Sequence, residues 1–212
     1  MMDFRRSLFF NRFILKPLLF LILASAAIDL SLGIYLQDLG ADAHETLLHT
    51  TGEWGLKALM FTLLISPSMK WFNWPLLTIQ RRMGGLFVAF YATAHIWVYI
   101  QFFLGFDWGM IFDELIKRPY IMVGFIAWLL LLPLALTSNN FSMRKLGRRW
   151  KKLHWLTYPI AILVVWHFYW QVKLDLIEPI IYIALLSVLL LWRMRKRLKI
   201  NQFTGLRNQP TK

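Results

Sequence analysis

Six apolar stretches, each close to the length needed to cross a bilayer, divide the chain at roughly Pro17–Leu36, Trp54–Met69, Gly84–Leu104, Pro119–Thr137, His154–Trp170 and Ile177–Trp192. Short polar segments separate them. The pattern predicts an all-α polytopic membrane protein, a six-transmembrane-helix bundle. The second stretch is the weakest, because Lys57 interrupts it and Pro67 ends it early. Lys57 can snorkel outward from near one end, and the helix start can reach back through His49. A cleavable leader is the alternative reading of the first stretch, since Ala24–Ala27 offers small side chains. The apolar run continues past them through Leu30, Leu32 and Ile34, which favours a retained anchor.

The charges between the stretches set an orientation. Arg5, Arg6, Arg12 and Lys16 precede the first stretch, and Asp38, Asp42, Glu45 and Glu53 follow it, so the N-terminus is expected in the cytoplasm. Continuing the count places Lys70, Arg81, Arg82, the stretch from Arg144 to Lys152 and the run from Arg193 to Lys199 on the same side. Of 24 Lys and Arg residues, only Lys57, Lys117, Arg118 and Lys173 fall outside. Both termini are thus expected to be cytoplasmic, with residues 1–16 as N-terminal segment, 17–192 as membrane domain and 193–212 as a basic tail. This arrangement explains the net charge of +13 without nucleic acid, because the basic residues sit between apolar segments instead of forming one soluble face. A length of 212 residues that are 58% hydrophobic leaves no room for a separate catalytic domain. Trp54, Trp71, Trp74, Trp108, Trp170 and Trp192 fall near the expected span ends, as an interfacial aromatic belt would require.

Candidate chemistry narrows quickly. Cysteine is absent from these residues, which excludes thiolate-ligated iron–sulfur clusters, a thiol nucleophile and covalent c-type haem attachment. No phosphate-binding glycine loop, zinc-protease or nucleophile-elbow motif occurs. Imidazole is the strong nitrogen ligand left. His95 and His167 each lie about 13 residues, or roughly 20 Å of helix rise, from the cytoplasmic end of their helices. Two imidazoles at matched depth on different helices can ligate the iron of one haem axially. Either histidine alone reads more simply as a hydrogen-bonding residue joining helices. Gly84, Gly85, Ala89, Ala92 and Ala94 are small enough to admit a flat macrocycle or a neighbouring helix.

His154 lies beside Lys151 and Lys152 at the cytoplasmic edge, either as an interfacial residue or as ligand to a second centre about 20 Å from the first. On a straight helix His154 and His167 point roughly 140° apart, and Pro159 between them can bend or unwind the helix. His44 and His49 fall in or beside the first outer loop, and Asp29, near the outer end of the first stretch, is a candidate for handling a proton or a quinone. No internal repeat is evident. A cofactor-free transporter or channel lined by the histidines, and an anchor for a soluble partner, are the alternatives to electron transfer.

Arg81-Arg82-Met83-Gly84-Gly85 leading to His95, then Arg118-Pro119-Tyr120, then Lys145-Leu146-Gly147 leading to Leu153-His154, resemble the MsrQ (YedZ) family over nearly the whole chain. The resemblance implies a ferric-reductase-like transmembrane domain in the bacterial inner membrane, with one or two b-type haems and FMN in some members. It implies a periplasmic molybdopterin partner, MsrP, which reduces oxidised methionines, and a quinone or a cytoplasmic flavin reductase as electron donor. The family's haem-linked histidines match His95, His154 and His167, and His49 matches a further recurring histidine. In the wider ferric-reductase group the third and fifth spans each carry two histidines. Here Arg81 and Arg82 stand at the inner positions of the third.

Overall fold

The computed structural model describes residues 9–172 and 176–207, and every regular element among them is helical. Arg5, Arg6, Lys173 and the end of the basic tail lie outside the described residues. Helix α1 (Lys16–Leu36) is entered through a π-helical turn at Asn11–Leu15, and α2 spans Ala43–Trp71. Helix α3 (Thr78–Val98) runs on into a second π-helical turn at Tyr99–Phe103. A short α4 (Trp108–Lys117) leads to α5 (Pro119–Leu136), and the short helices α6 (Asn140–Leu146) and α7 (Arg148–Leu153) follow. After a 3-10 turn at His154–Leu156 come α8 (Thr157–Gln171) and α9 (Ile177–Arg207).

Local chemistry fixes several of these limits. The Asp42 carboxylate accepts from the Glu45 amide at 3.0 Å and starts α2, Asp107 accepts from Gly109 and Met110 at the head of α4, and Asn139 caps α6. Pro119 opens α5, where a missing N–H costs nothing. Pro159 supplies no N–H to the Trp155 carbonyl, and the chain tightens into the 3-10 turn just before it.

Each predicted stretch falls on a long helix, with two differences. Helix α2 begins at Ala43, so Trp54 lies well inside it and not at a span end. It also passes through Pro67 to Trp71 instead of stopping. The reason is tertiary: the Leu63 carbonyl, deprived of its intrahelical donor by Pro67, accepts from the Arg193 guanidinium of α9 at 2.7 Å. Among the described residues, four helical segments are long and apolar enough to cross a membrane: Asn11–Leu36, Thr78–Phe103, Pro119–Leu136 and Ile177–Arg195. Helix α2 carries Glu45, Glu53 and Lys57, with Lys57 paired to Glu53 at 3.2 Å and lying over the Trp54 ring. Helix α8 has 15 residues.

The most extensive packing joins α2 to α3 and α5 to α8, giving two helical hairpins whose apolar faces meet in a shared core. Leu59 and Leu63 of α2, Val88 of α3, Leu131 of α5, Ile160 of α8 and Leu186 of α9 are buried there. The outward faces stay apolar, with Leu18, Phe20, Ile22, Phe90, Leu129 and Ile181 all exposed, as a hydrocarbon surrounding favours. Helix α2 comes so close to α3 that a Cβ at Gly84 would run into the Thr62 hydroxyl. Polar contacts attach α1. Asn11 and Gln80, both fully buried, bond side chain to side chain at 2.6 Å. The Tyr91 hydroxyl enters the backbone ladder of α1, donating to the Leu23 carbonyl at 2.6 Å and accepting from the Ala27 amide at 3.2 Å.

Tyr91→Phe should therefore leave two groups of α1 without their bridge and lower stability by about 1 kcal/mol, the scale of interhelical hydrogen bonds in membranes. Unfolding of the purified protein in detergent measures this, and an unchanged midpoint would show that α1 closes its own ladder at no cost.

Candidate functional site

His95 sits near the end of α3 and His167 near the end of α8, and the fold brings them together. Their ring centres are 6.4 Å apart and their planes cross at 80°. The same device orients each ring. His95 Nδ1 donates to the Leu48 carbonyl on α2 at 3.0 Å, and His167 Nδ1 donates to the Tyr120 carbonyl on α5 at 2.7 Å. A carbonyl can only accept, so the proton sits on Nδ1 and the lone pair on Nε2 in both rings.

One helical turn beyond each of these carbonyls stands a glycine. A Cβ on Gly52 would lie 3.0 Å from Nδ1 and Cε1 of His95, and a Cβ on Gly124 would lie 2.9 Å from Nδ1 of His167. Each imidazole thus lies against helix backbone at a point that a larger residue would block. The two hairpins repeat the arrangement in register, since each histidine follows its carbonyl residue by 47 positions. The sequence alone shows no repeat because only these few positions carry it. An equal interval from a glycine to a buried histidine in both halves was the available signal.

The chemistry follows from the donor set. Among the described residues no group of three or more His, Cys, Asp or Glu side chains gathers as a metal-ion cage. The site offers two neighbouring imidazoles whose Nε2 atoms are not taken up by the carbonyl bonds, donors of the type that ligate a metal carried in a macrocycle. A metal bonded at about 2 Å to a nitrogen of each ring separates the ring centres by roughly 6 Å, which fits the distance found. An open apolar groove lined by Leu86, Ala89, Phe90, Thr93, Ala94 and Trp97 runs along α3 through residues that flank His95. Gly85 has open space beside it, whereas Gly84 is used in packing against α2.

At the head of α5 a polar cluster supports the Tyr120 side of the site. Tyr99 Oη donates to Glu114 at 2.8 Å, the Arg118 guanidinium donates to the same carboxylate oxygen at 2.9 Å, and Arg118 also donates to the Tyr120 hydroxyl at 3.2 Å. The Tyr120 hydroxyl and the Glu114 carboxylate both hold Arg118 above its ordinary pKa. Nearby, Lys117 is raised by its bond to Asp113.

The other candidates are not part of the pair, although His49, next to Leu48, lies within electrostatic reach of His95. His154 stacks on Trp150 with ring centres 3.8 Å apart, its Nδ1 is 3.2 Å from the Trp150 carbonyl, and its Nε2 is 3.5 Å from the Ser138 hydroxyl. No second histidine faces it among the described residues. His49 pairs with Glu45 at 3.4 Å on an exposed face of α2, and His44 stacks on Phe102. Asp29 is exposed on α1.

Residues 51–165, which include Gly52, His95, Gly124 and His154, match the family described as "Ferric reductase like transmembrane component". Curated relatives are named "Protein-methionine-sulfoxide reductase heme-binding subunit MsrQ". That of Xanthomonas axonopodis pv. citri (strain 306) is 48% identical over 81% of this chain and 79% of the relative. That of Xanthomonas campestris pv. campestris (strain B100) is 46% identical over the same shares. The protein from Rhodospirillum rubrum is 44% identical over 74% of this chain and 76% of the relative. The chain belongs to the ferric-reductase-like transmembrane family and, within that class, to the MsrQ family. No solved structure matches it.

Gly52→Ala and Gly124→Ala should each displace an imidazole and lower the unfolding midpoint. Gly85→Ala, which meets nothing within 4 Å, should be neutral or stabilising by up to about 1 kcal/mol through helix propensity. Equal responses at all three positions would remove the close fit as the reason for the two glycines.

Proposed function

We propose that this chain is a transmembrane electron-transfer subunit that holds b-type haem between His95 and His167. The observation that carries the reading is the facing pair of imidazoles, ring centres 6.4 Å apart, with both Nδ1 atoms already engaged by backbone carbonyls. Haem bound there supplies a one-electron centre within an otherwise apolar bundle. The chain's own contribution is orientation: the Leu48 and Tyr120 carbonyls fix the tautomers, raise ligand basicity and keep the rings from rotating. The absence of cysteine leaves b-type, non-covalent retention as the mode of binding.

In this reading α2 and α8 join the four more apolar segments to give six spans with both termini in the cytoplasm of a bacterium. The paired charges of α2 near one end and the excess of Lys and Arg at the opposite end support that orientation. Electrons enter from a quinone or a cytoplasmic flavin reductase and leave to a periplasmic molybdopterin subunit, MsrP, where methionine sulfoxide is reduced. The relatives' name, heme-binding subunit of a protein-methionine-sulfoxide reductase, supports the division of labour. His154, stacked on Trp150 at the other end of α8, serves electron entry as ligand to an inner centre. FMN is assigned no residue.

His95→Ala and His167→Ala should each abolish the reduced-minus-oxidised spectrum and pyridine haemochrome of the outer haem, while His154→Ala keeps it and slows reduction from the cytoplasmic side. A colourless wild-type protein after haem-supplemented expression would leave the transporter reading in place. The crossed rings, at 80°, also predict a strongly anisotropic low-spin EPR signal for the ferric protein. A rhombic signal would mean that the rings lie parallel in the loaded site.

A further inference from the structure

At the end of the bundle where His154 lies, α9 turns a cation inward. Arg193 does not reach outward as a snorkelling arginine would. Its guanidinium reaches across to the Leu63 carbonyl at 2.7 Å, its Cζ lies 5.1 Å from the centre of the Tyr158 ring, and its Nε is buried with no hydrogen-bond partner. Arg81, at the start of α3, lies within electrostatic reach of both Arg193 and Tyr158. Its side chain is exposed. His154 lies within electrostatic reach of Arg81.

Two guanidinium groups of like charge thus lie within electrostatic reach of each other, and among the described residues neither has a carboxylate within ion-pair distance. The four ion pairs found there involve Glu45, Glu53, Asp113 and Glu114, all elsewhere. Neighbouring unpaired cations repel, and a donor buried without an acceptor costs free energy. An anion between the two would remove both penalties, and the planar fork of arginine matches phosphate oxygens. A phosphate group, with a charge near −1.5 to −2 as a monoester, balances the pair. Arg81 opens its segment and Arg193 stands near the close of its own, which is the depth at which phospholipid headgroups lie.

We propose that Arg81, Arg193 and the Tyr158 hydroxyl form a binding site for a phosphate group, supplied either by an anionic lipid headgroup or by a soluble phosphate. Arg193 holds the anion through its buried Nε while its terminal nitrogen keeps the bond to Leu63, and Arg81 closes the site from the accessible side.

The test uses the full chain in detergent, with Arg81→Gln, Arg193→Gln and Arg193→Lys as variants. Retention of phosphatidylglycerol over phosphatidylcholine is read by native mass spectrometry after delipidation. Stabilisation by inorganic phosphate is read against chloride at equal ionic strength. Selective lipid retention that falls about tenfold or more in Arg81→Gln, the effect of losing one charge-assisted hydrogen bond, identifies a lipid phosphate. Phosphate-specific stabilisation lost in the same variant, without lipid selectivity, identifies a soluble source. Arg193→Lys keeps the charge and loses the fork, so weaker binding than in the wild type is expected. Arg81→Gln removes no hydrogen bond seen within the protein and keeps the test clear of misfolding. Wild-type protein that shows neither preference, or an Arg81→Gln variant that keeps it undiminished, overturns the proposal.

Discussion

The site depends on a backbone carbonyl accepting a proton from an imidazole across a helix–helix contact, made twice. An imidazole N–H buried without an acceptor costs on the order of 1–3 kcal/mol, so each ring is held where its carbonyl is. Each carbonyl belongs to a helix and accepts from the histidine across the contact, and the Leu48 oxygen accepts from the Thr51 hydroxyl as well. That contact is open only because Gly52 and Gly124 bring no side chain into it. The positions of α2 against α3 and of α5 against α8 are therefore tied to the orientation of the ring each pair carries.

From this constraint comes a duplicated architecture with unequal ends. The interval from carbonyl residue to histidine is the same in both hairpins, and the two rings meet where the hairpins do. At the other end the likeness breaks. The interval that leads back from His167 to His154 leads from His95 to Arg82, and Arg82 is occupied in a 2.7 Å bond to Asn140 at the start of α6. His154 has Trp150 and Ser138 as neighbours in place of a facing imidazole. One end of the bundle brings two imidazoles together, while the other gathers arginine and one histidine.

The outer helices are attached by polar groups that enter backbone ladders. Tyr91 bridges two groups of α1, and Arg193 takes the carbonyl that Pro67 frees in α2. In a low-dielectric bundle such contacts hold helices where apolar packing alone is permissive about register, since lipid competes for apolar faces on nearly equal terms. Tyr91 lies one turn before His95 on α3, so the contact that seats α1 and the one that orients the His95 ring share a short length of helix.

The all-helical class, the approximate limits of the long apolar helices and the two histidines that meet were legible in the sequence, because apolar length and proline act locally and histidine at apolar depth is conspicuous. The continuation of α2 through Pro67 was not, since the donor that rescues it comes from α9, far along the chain. Nor were Gly52, Gly124 and the two carbonyls, because a glycine among many and a backbone oxygen carry no compositional mark. The sequence by itself determined which segments become helices and which side chains are able to bind a metal, through hydrophobicity and donor chemistry. Only the tertiary structure decided which nitrogen of each ring is free, how far apart the rings stand and which histidine is left outside the pair. Those are properties of contacts between helices distant in sequence, where close approach and hydrogen-bond direction, unlike composition, set the outcome.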